Sequence, residues 1–256
     1  MVFSIQQLED DSKLSQALRL EVLEQWCPRE LVCDLLTRCH AWGERERSLN
    51  QLLLVYDIIA RSLFRRLNLA AVLGHLVRGL RWLWSNASLR RPSAAALVYR
   101  RRQLGTPVLR HLFQRVCHPM ATEQTRGAFR FGLRLMAIDG TLDEVADTFA
   151  NARYCGRMRS GKHQSPFPQL RCVDLAEVGT HAIVDAVFAP CRVAAQRLAP
   201  RLLSRAVQPG MLVMMDRGMV SAAELSTLVQ QRQAQALARL KAGPYTHAEQ
   251  VLSDGS

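Results

Sequence analysis

The chain has 256 residues, a formal net charge of +12, a pI near 10.1, and 48% hydrophobic residues. That hydrophobic share excludes a disordered chain, and the length admits one large domain or two smaller ones. The charge argues against a cationic partner and points to an anionic one, most often nucleic acid.

Arginine outnumbers lysine 31 to 3. Bidentate phosphate contact explains that bias, and so does a GC-rich coding sequence. The charge is concentrated. Between Arg61 and Arg130 there are fourteen arginines and one acid, Glu123. A block so nearly free of acids reads as a phosphate footprint rather than a mixed-sign solvated face. Seven cysteines, an odd number, are scattered without a CxxC pair. Cys27, Cys33 and Cys39 are six apart, which puts them on different helix faces, so they read as reduced buried thiols of a cytoplasmic protein. The opening "MVFSIQQLEDD" is mixed and acidic, unlike a secretory signal. The apolar run "LNQLLLVYDIIA" is too short to span a bilayer, so no membrane association is expected.

In chain order, the first elements are helical. "PRELVCDLLTRCH" spaces Leu31, Val32, Leu35 and Leu36 as a helix does, with Pro28 suited to the first turn. "GERERSLNQLLLVYDIIARSLFRRL" predicts a longer amphipathic helix starting near Ser48 or Asn50, and "NLAAVLGHLVRGLRWLW" continues the pattern. Trp82 and Trp84 fit a core or interface better than a base-stacking platform. Ser93 is a candidate cap for a helix ending near Gln103, Gly105 breaks it, and Thr106-Pro107 opens another. This pair resembles a helix-turn-helix. Arg100, Arg101 and Arg102 close its first helix, while Arg110, His111 and Arg115 lie on its second. These five arginines are the candidate DNA contacts.

After Gly127 the period becomes strand-like. "FRFGLRLMAIDG" predicts a strand ending at Asp139, and "QLRCVDLAEVGTHAIVDAVFAP" predicts two strands around a Gly-Thr turn. "CRVAAQRLAPRLLSRAV" is helical in composition, with Pro200 expected to kink or end it. "PGMLVMMDRG" is a strand, "SAAELSTLVQQRQ" a helix with Ser221 and Glu224 as a capping box, and "AQALARLKAG" a further strand. This order predicts an α/β protein: a helical, basic, DNA-binding unit over 1–127, then a mixed-sheet unit over 128–256.

Asp139 and Asp216 share a context: an apolar strand before and a glycine within two residues after. Singly, each reads as a turn residue. As a pair emerging at one end of a sheet, they suit two hard divalent cations, Mg²⁺ for preference, and phosphodiester cleavage or strand transfer.

The motifs "AIDGT" (137–141), "VADTFAN" (145–151), "LAEVGTHAIVDA" (175–186), "MDRG" (215–218), "ARLK" (238–241) and the closing "VLSDGS" follow the order seen in bacterial insertion-element transposases. The chain resembles the insertion-sequence-four family of DDE transposases over nearly its whole length. The resemblance implies an RNase H-like catalytic fold, Mg²⁺ or Mn²⁺ dependence, and transposition by a dimer on the double-stranded DNA of the element's terminal repeats. By motif match, Asp139 is the first catalytic carboxylate and Asp216 the second. Ala146 replaces the family's usual proline. The family's third residue, a Glu in a Tyr-Arg-Glu-Lys motif beyond "DGS", has no counterpart here. Glu249 has the spacing of other DDE enzymes, but it lies where an inserted β region should begin. The expectation is therefore a truncated catalytic unit, RNase H-like but incomplete, with weakened metal binding and no activity alone. The alternative is a DNA-binding regulator that pairs with a full-length copy. His163 and His181 read as loop and hairpin residues rather than site residues.

Overall fold

In the computed structural model, the described residues are 22–43, 49–79, 92–161 and 163–239. The chain divides into two compact units, Met1–Val116 and Cys117–Ser256. The first is helical, with α1 Arg29–Arg38, α2 Gln51–Leu63, α3 Leu69–Gly79, α4 Ala94–Leu104 and α5 Pro107–Val116. Its core is one cluster centred on α2, where Leu52 through Tyr56 are all buried. A helix apolar on every side is one that other helices surround. Asn50 Oδ1 caps α2 by accepting from the Leu53 amide at 2.8 Å. The helix is shorter than the sequence pattern predicts, and its sequence after Leu63 has turned out of it. Pro28 stands one residue before α1, in the cap position. Trp82 and Trp84 lie outside the described residues.

The helix pair at 94–116 forms as read. Ser93 Oγ accepts from the Ala96 amide, Gly105 ends α4 at φ +68°, and Pro107 starts α5.

The second unit is a mixed sheet. Its strands are β1 Phe129–Arg130, β2 Leu133–Glu144, β5 Gln169–Glu177, β6 Ile183–Pro190, β7 Met211–Met215 and β8 Gln235–Ala238, in the order β6-β5-β2-β7-β8, with β1 on β2. Between β2 and β5 come α6 Phe149–Cys155 and a separate hairpin, β3 Arg159–Ser160 and β4 His163–Gln164. β2, β5 and β6 are antiparallel, whereas β7 and β8 run parallel to β2. The parallel strands are reached through α7 Ala195–Ala206 and then α8 Ala222–Ser226 with its π-helical extension Thr227–Gln231. A helical unit followed by a mixed-sheet α/β unit is the architecture the sequence predicts.

Three local expectations need correction. The stretch "FRFGLRLMAIDG" is a hairpin and a longer strand, not one strand ending at Asp139. Phe131 and Gly132 form its two-residue turn at φ +53° and +74°, and β2 continues five residues past Asp139. Gly140 is a strand residue, not a turn residue. A Cβ there would stand 2.9 Å from Ala195 Cβ, so glycine lets the start of α7 approach the sheet. Of the two outcomes expected at Pro200, a kink or an end, the end does not occur: α7 runs on to Ala206. An interior proline costs about 3 kcal/mol. The buried Leu198, Leu202 and Leu203 each return roughly 1.5–3 kcal/mol, so packing wins.

The turn at Phe131 yields a testable consequence. Such turns favour Asn-Gly, since a bulky residue at positive φ costs roughly 1–2 kcal/mol. The Phe131 ring is exposed and stacks under the Arg130 guanidinium at 4.8 Å, which offsets about 0.5–1 kcal/mol. Phe131→Asn is therefore expected to stabilise the protein by about 0.5 kcal/mol in urea denaturation. A loss of stability would show that the ring packs on more than Arg130.

Candidate active site and nucleic-acid interface

The strand register brings the two predicted carboxylates together. β2 pairs with β7 in parallel from Arg134↔Met211 to Ile138↔Met215. The next residue on each chain is Asp139 and Asp216. Adjacent strands lie about 4.8 Å apart, so Asp139 and Asp216 occupy neighbouring backbone positions where β7 stops. Met136, Ile138, Val213 and Met215 are buried in the cluster that includes α7. Alternation along β2 turns Asp139 to the opposite face. Asp139 and Asp216 are both exposed, and neither has an ion-pair partner among the described residues. Asp139 Oδ1 accepts from the amide of its neighbour Gly140 at 2.7 Å.

A third carboxylate joins this row. Asp174 on β5 lies directly across from Asp139. Burial pushes its carboxyl up from the ordinary range, and the charges of Asp139 and Asp143 push it further. The sequence reading missed Asp174; its signal was an acid inside the otherwise apolar run "CVDLA". Like charges placed directly opposite on neighbouring strands destabilise a sheet unless something cationic separates them. Asp139 and Asp216 suit a hard divalent cation in being exposed, adjacent oxygen donors. No group of three or more His, Cys, Asp or Glu among the described residues is arranged to hold an ion.

The loop after β2 is held without the family's proline. The Ala146 carbonyl accepts from Asn151 Nδ2 and from the Thr148 amide, both at 2.9 Å, and Val145 donates to Pro168. Glu224 does not complete a capping box. Ser221 Oγ accepts from the Ala223 amide, while Glu224 is buried with Oε2 unpartnered. His163 is exposed on β4, and His181 occupies the β5–β6 turn at φ +58°. Glu249 lies outside the described residues.

At the C-terminal end of β5 sits a buried polar knot. Glu177 is fully buried and accepts from the Met120 and Ala121 amides, from Thr180 Oγ1 and from Arg134. Arg134 also donates to the Ala121 carbonyl at 3.0 Å. The knot ties residues 120–121 to the sheet.

In the first unit, the five candidate arginines separate into two groups. Arg102, Arg110 and Arg115 are exposed. Arg100 is half-buried and donates to Gln103 Oε1 at 2.7 Å. Arg101 is half-buried beside Asp57, the fully buried acid of α2 that pairs with Arg61 at 2.6 Å. Burial lowers the Arg101 guanidinium below its ordinary range, as does Arg61, while Asp57 opposes both. Only the exposed three present their charge to solvent without such ties.

No helix among the described residues is long and apolar enough to cross a membrane. Residues 17–114 match the family described as "Insertion element 4 transposase N-terminal". Two proteins of Escherichia coli strain K12 are similar over most of the chain. "Putative transposase InsZ" is 27% identical over 195 residues, covering 72% of this chain and 59% of the relative. "Transposase InsG for insertion sequence element IS4" is 26% identical over 192 residues, covering 73% and 42%. The chain thus spans between two fifths and three fifths of the length of these curated relatives. Among solved structures, the piggyBac transposase synaptic complex with hairpin DNA aligns over 90% of this chain and 52% of that one, at 14% identity and a TM-score of 0.43. The helical unit thus matches the N-terminal domain of insertion element 4 transposases, and two named transposases are similar across both units.

Proposed function

We propose that the chain acts on the ends of an insertion element, with Asp139 and Asp216 as the paired carboxylates of a phosphodiester-cleaving and strand-transfer site. The observation that carries this reading is the β2–β7 register, which sets the two acids side by side at the end of β7. Divalent cations held there, Mg²⁺ or Mn²⁺, would polarise the phosphate and activate the attacking oxygen. Asp139 and Asp216 would orient those ions. In the first unit, Arg102, Arg110 and Arg115 would neutralise phosphates of the double-stranded terminal repeats. The compartment in this reading is the cytoplasm, at the nucleoid, and the working form is a homodimer.

Duplex carrying the terminal repeats, incubated with the protein and Mg²⁺, tests the reading. Cleavage that vanishes in Asp139→Ala and in Asp216→Ala supports it; cleavage surviving both contradicts it. A second reading is a regulator that binds the ends without cutting, supported by the Arg61–Arg130 block with its fourteen arginines and single acid. Specific binding without cleavage selects it.

The interface has its own test. Replacing Arg102, Arg110 and Arg115 together with alanine is expected to flatten the log Kd against log salt slope by about 2.7, roughly 0.9 for each phosphate contact. Gel shifts at graded salt measure it, and an unchanged slope would assign binding to other residues.

A further inference from the structure

A second basic surface lies in the sheet unit. Between Asp147 and Asp174 the sequence holds no acid but five cations: Arg153, Arg157, Arg159, Lys162 and Arg171. Arg157 is tied to Asp147 at 2.6 Å, whereas Arg153 and Arg159 are exposed without an ion-pair partner among the described residues. The same segment exposes large aromatic rings. Phe149 is 84% and Tyr154 60% exposed. Cys155 is buried and fixes the inner side of α6. At about 100° per residue, Phe149, Arg153 and Tyr154 fall within an arc of about 140° on the outer side. The helix therefore presents a guanidinium flanked by two rings.

This surface is linked to the carboxylates by a short path. β2 runs five residues beyond Asp139, about 17 Å, before the loop that leads into α6. The α6 end returns to the sheet through the Gln169 amide, which donates to the Gly156 carbonyl at 2.9 Å. Rings this exposed gain little from folding. An aromatic pair around a cation, in a segment without acids, matches the chemistry that grips an unpaired polynucleotide: rings stack on bases and guanidinia meet phosphates. An apolar protein partner would be mismatched to the uncompensated charge.

We propose that the outer face of α6, with Arg159 of the adjoining hairpin, is a platform for single-stranded DNA, on which Phe149 and Tyr154 stack unpaired bases while Arg153 and Arg159 meet the backbone. This rests on the DNA-processing reading above and adds a strand-selective contact to it. The duplex footprint lies in the first unit, and the platform takes DNA whose strands have parted.

The test is fluorescence anisotropy of the full chain with an oligothymidylate of about 15 nucleotides and, separately, with terminal-repeat duplex. Phe149→Ala with Tyr154→Ala is expected to weaken oligothymidylate binding about tenfold or more while leaving duplex affinity within about twofold. Phe149→Tyr with Tyr154→Phe, which keeps both rings, is expected to restore it. Unchanged single-strand affinity in the alanine variant overturns the platform, as does a wild type that binds duplex but no oligothymidylate. A sedimentation shift from dimer to monomer in the alanine variant would make the stripe a protein interface and also overturn it. A wild type that binds neither DNA refutes the DNA reading itself, and the platform with it.

Discussion

Glu177→Ala is expected to destabilise the sheet unit by about 3–5 kcal/mol, because it leaves a buried charge network without its centre. Four donors converge on this one carboxylate: the Met120 and Ala121 amides, the Thr180 hydroxyl and the Arg134 guanidinium. Removing it strands two amides and a partly buried arginine. The site cannot relax by moving the chain closer, since Gly179 already touches Ala128 so tightly that a Cβ would collide with its backbone. The pH dependence carries a sign. Burial alone would raise the Glu177 carboxyl, but the bonds from Thr180, Ala121, Met120 and Arg134 outweigh it and hold the group below its ordinary range. A depressed acid contributes stability above its unfolded value and loses it as pH falls through the folded one. Its contribution should therefore fade only in the acid range, below ordinary carboxylate titration. Urea denaturation at neutral pH and in acid measures both effects. A Glu177→Ala cost under about 0.5 kcal/mol at neutral pH would mean that water replaces the carboxylate at little cost.

The second large effect concerns Asp139, and it has opposite signs with and without cation. Asp139 faces Asp174 across the β2–β5 ladder and adjoins Asp216 across the β2–β7 ladder. Without divalent ions, Asp139→Asn removes like-charge repulsion and should stabilise the sheet by roughly 0.2–1 kcal/mol. With Mg²⁺ or Mn²⁺ the same substitution should abolish the ion's stabilising effect. It should also lower any cleavage by about 10³-fold, since metal stabilisation of a phosphoryl transition state is worth several kcal/mol. A turn aspartate would show neither the reversal nor the loss. Thermal unfolding with and without divalent ion, compared between wild type and variant, separates the two.

Much of this arrangement was legible in the sequence because its signals are local. Ser93, Gly105 and Pro107 mark helix ends through capping and backbone preference, and each sits where those preferences put it. The apolar run before Asp216 reads as a strand and is one. What stayed hidden depends on contacts distant in sequence. Gly140 looks like a turn glycine because nothing nearby in the sequence reveals that Ala195 packs over it. Asp139 was placed at the end of its apolar run, but it lies within β2, and β7 is the strand that ends beside it. Asp174 was invisible as a neighbour until the antiparallel register was known. Glu224 resembles a cap in sequence, but it is buried with Oε2 unpartnered. Arg100 and Arg101 count as surface charge in composition, but both are half-buried in the fold. The family resemblance pointed to both aspartates; the register places them on adjacent strands.

The central claim is that Asp139 and Asp216 form one cation-binding pair. Its most direct measurement is the shift of unfolding temperature as Mn²⁺ is added to the wild type, to Asp139→Ala and to Asp216→Ala. A ligand that binds only the folded state stabilises by about 2.7 kcal/mol at a hundredfold excess over Kd. The account predicts a saturating upward shift in the wild type that either single substitution removes. A wild type that does not respond, or a shift that persists undiminished in both variants, would contradict it.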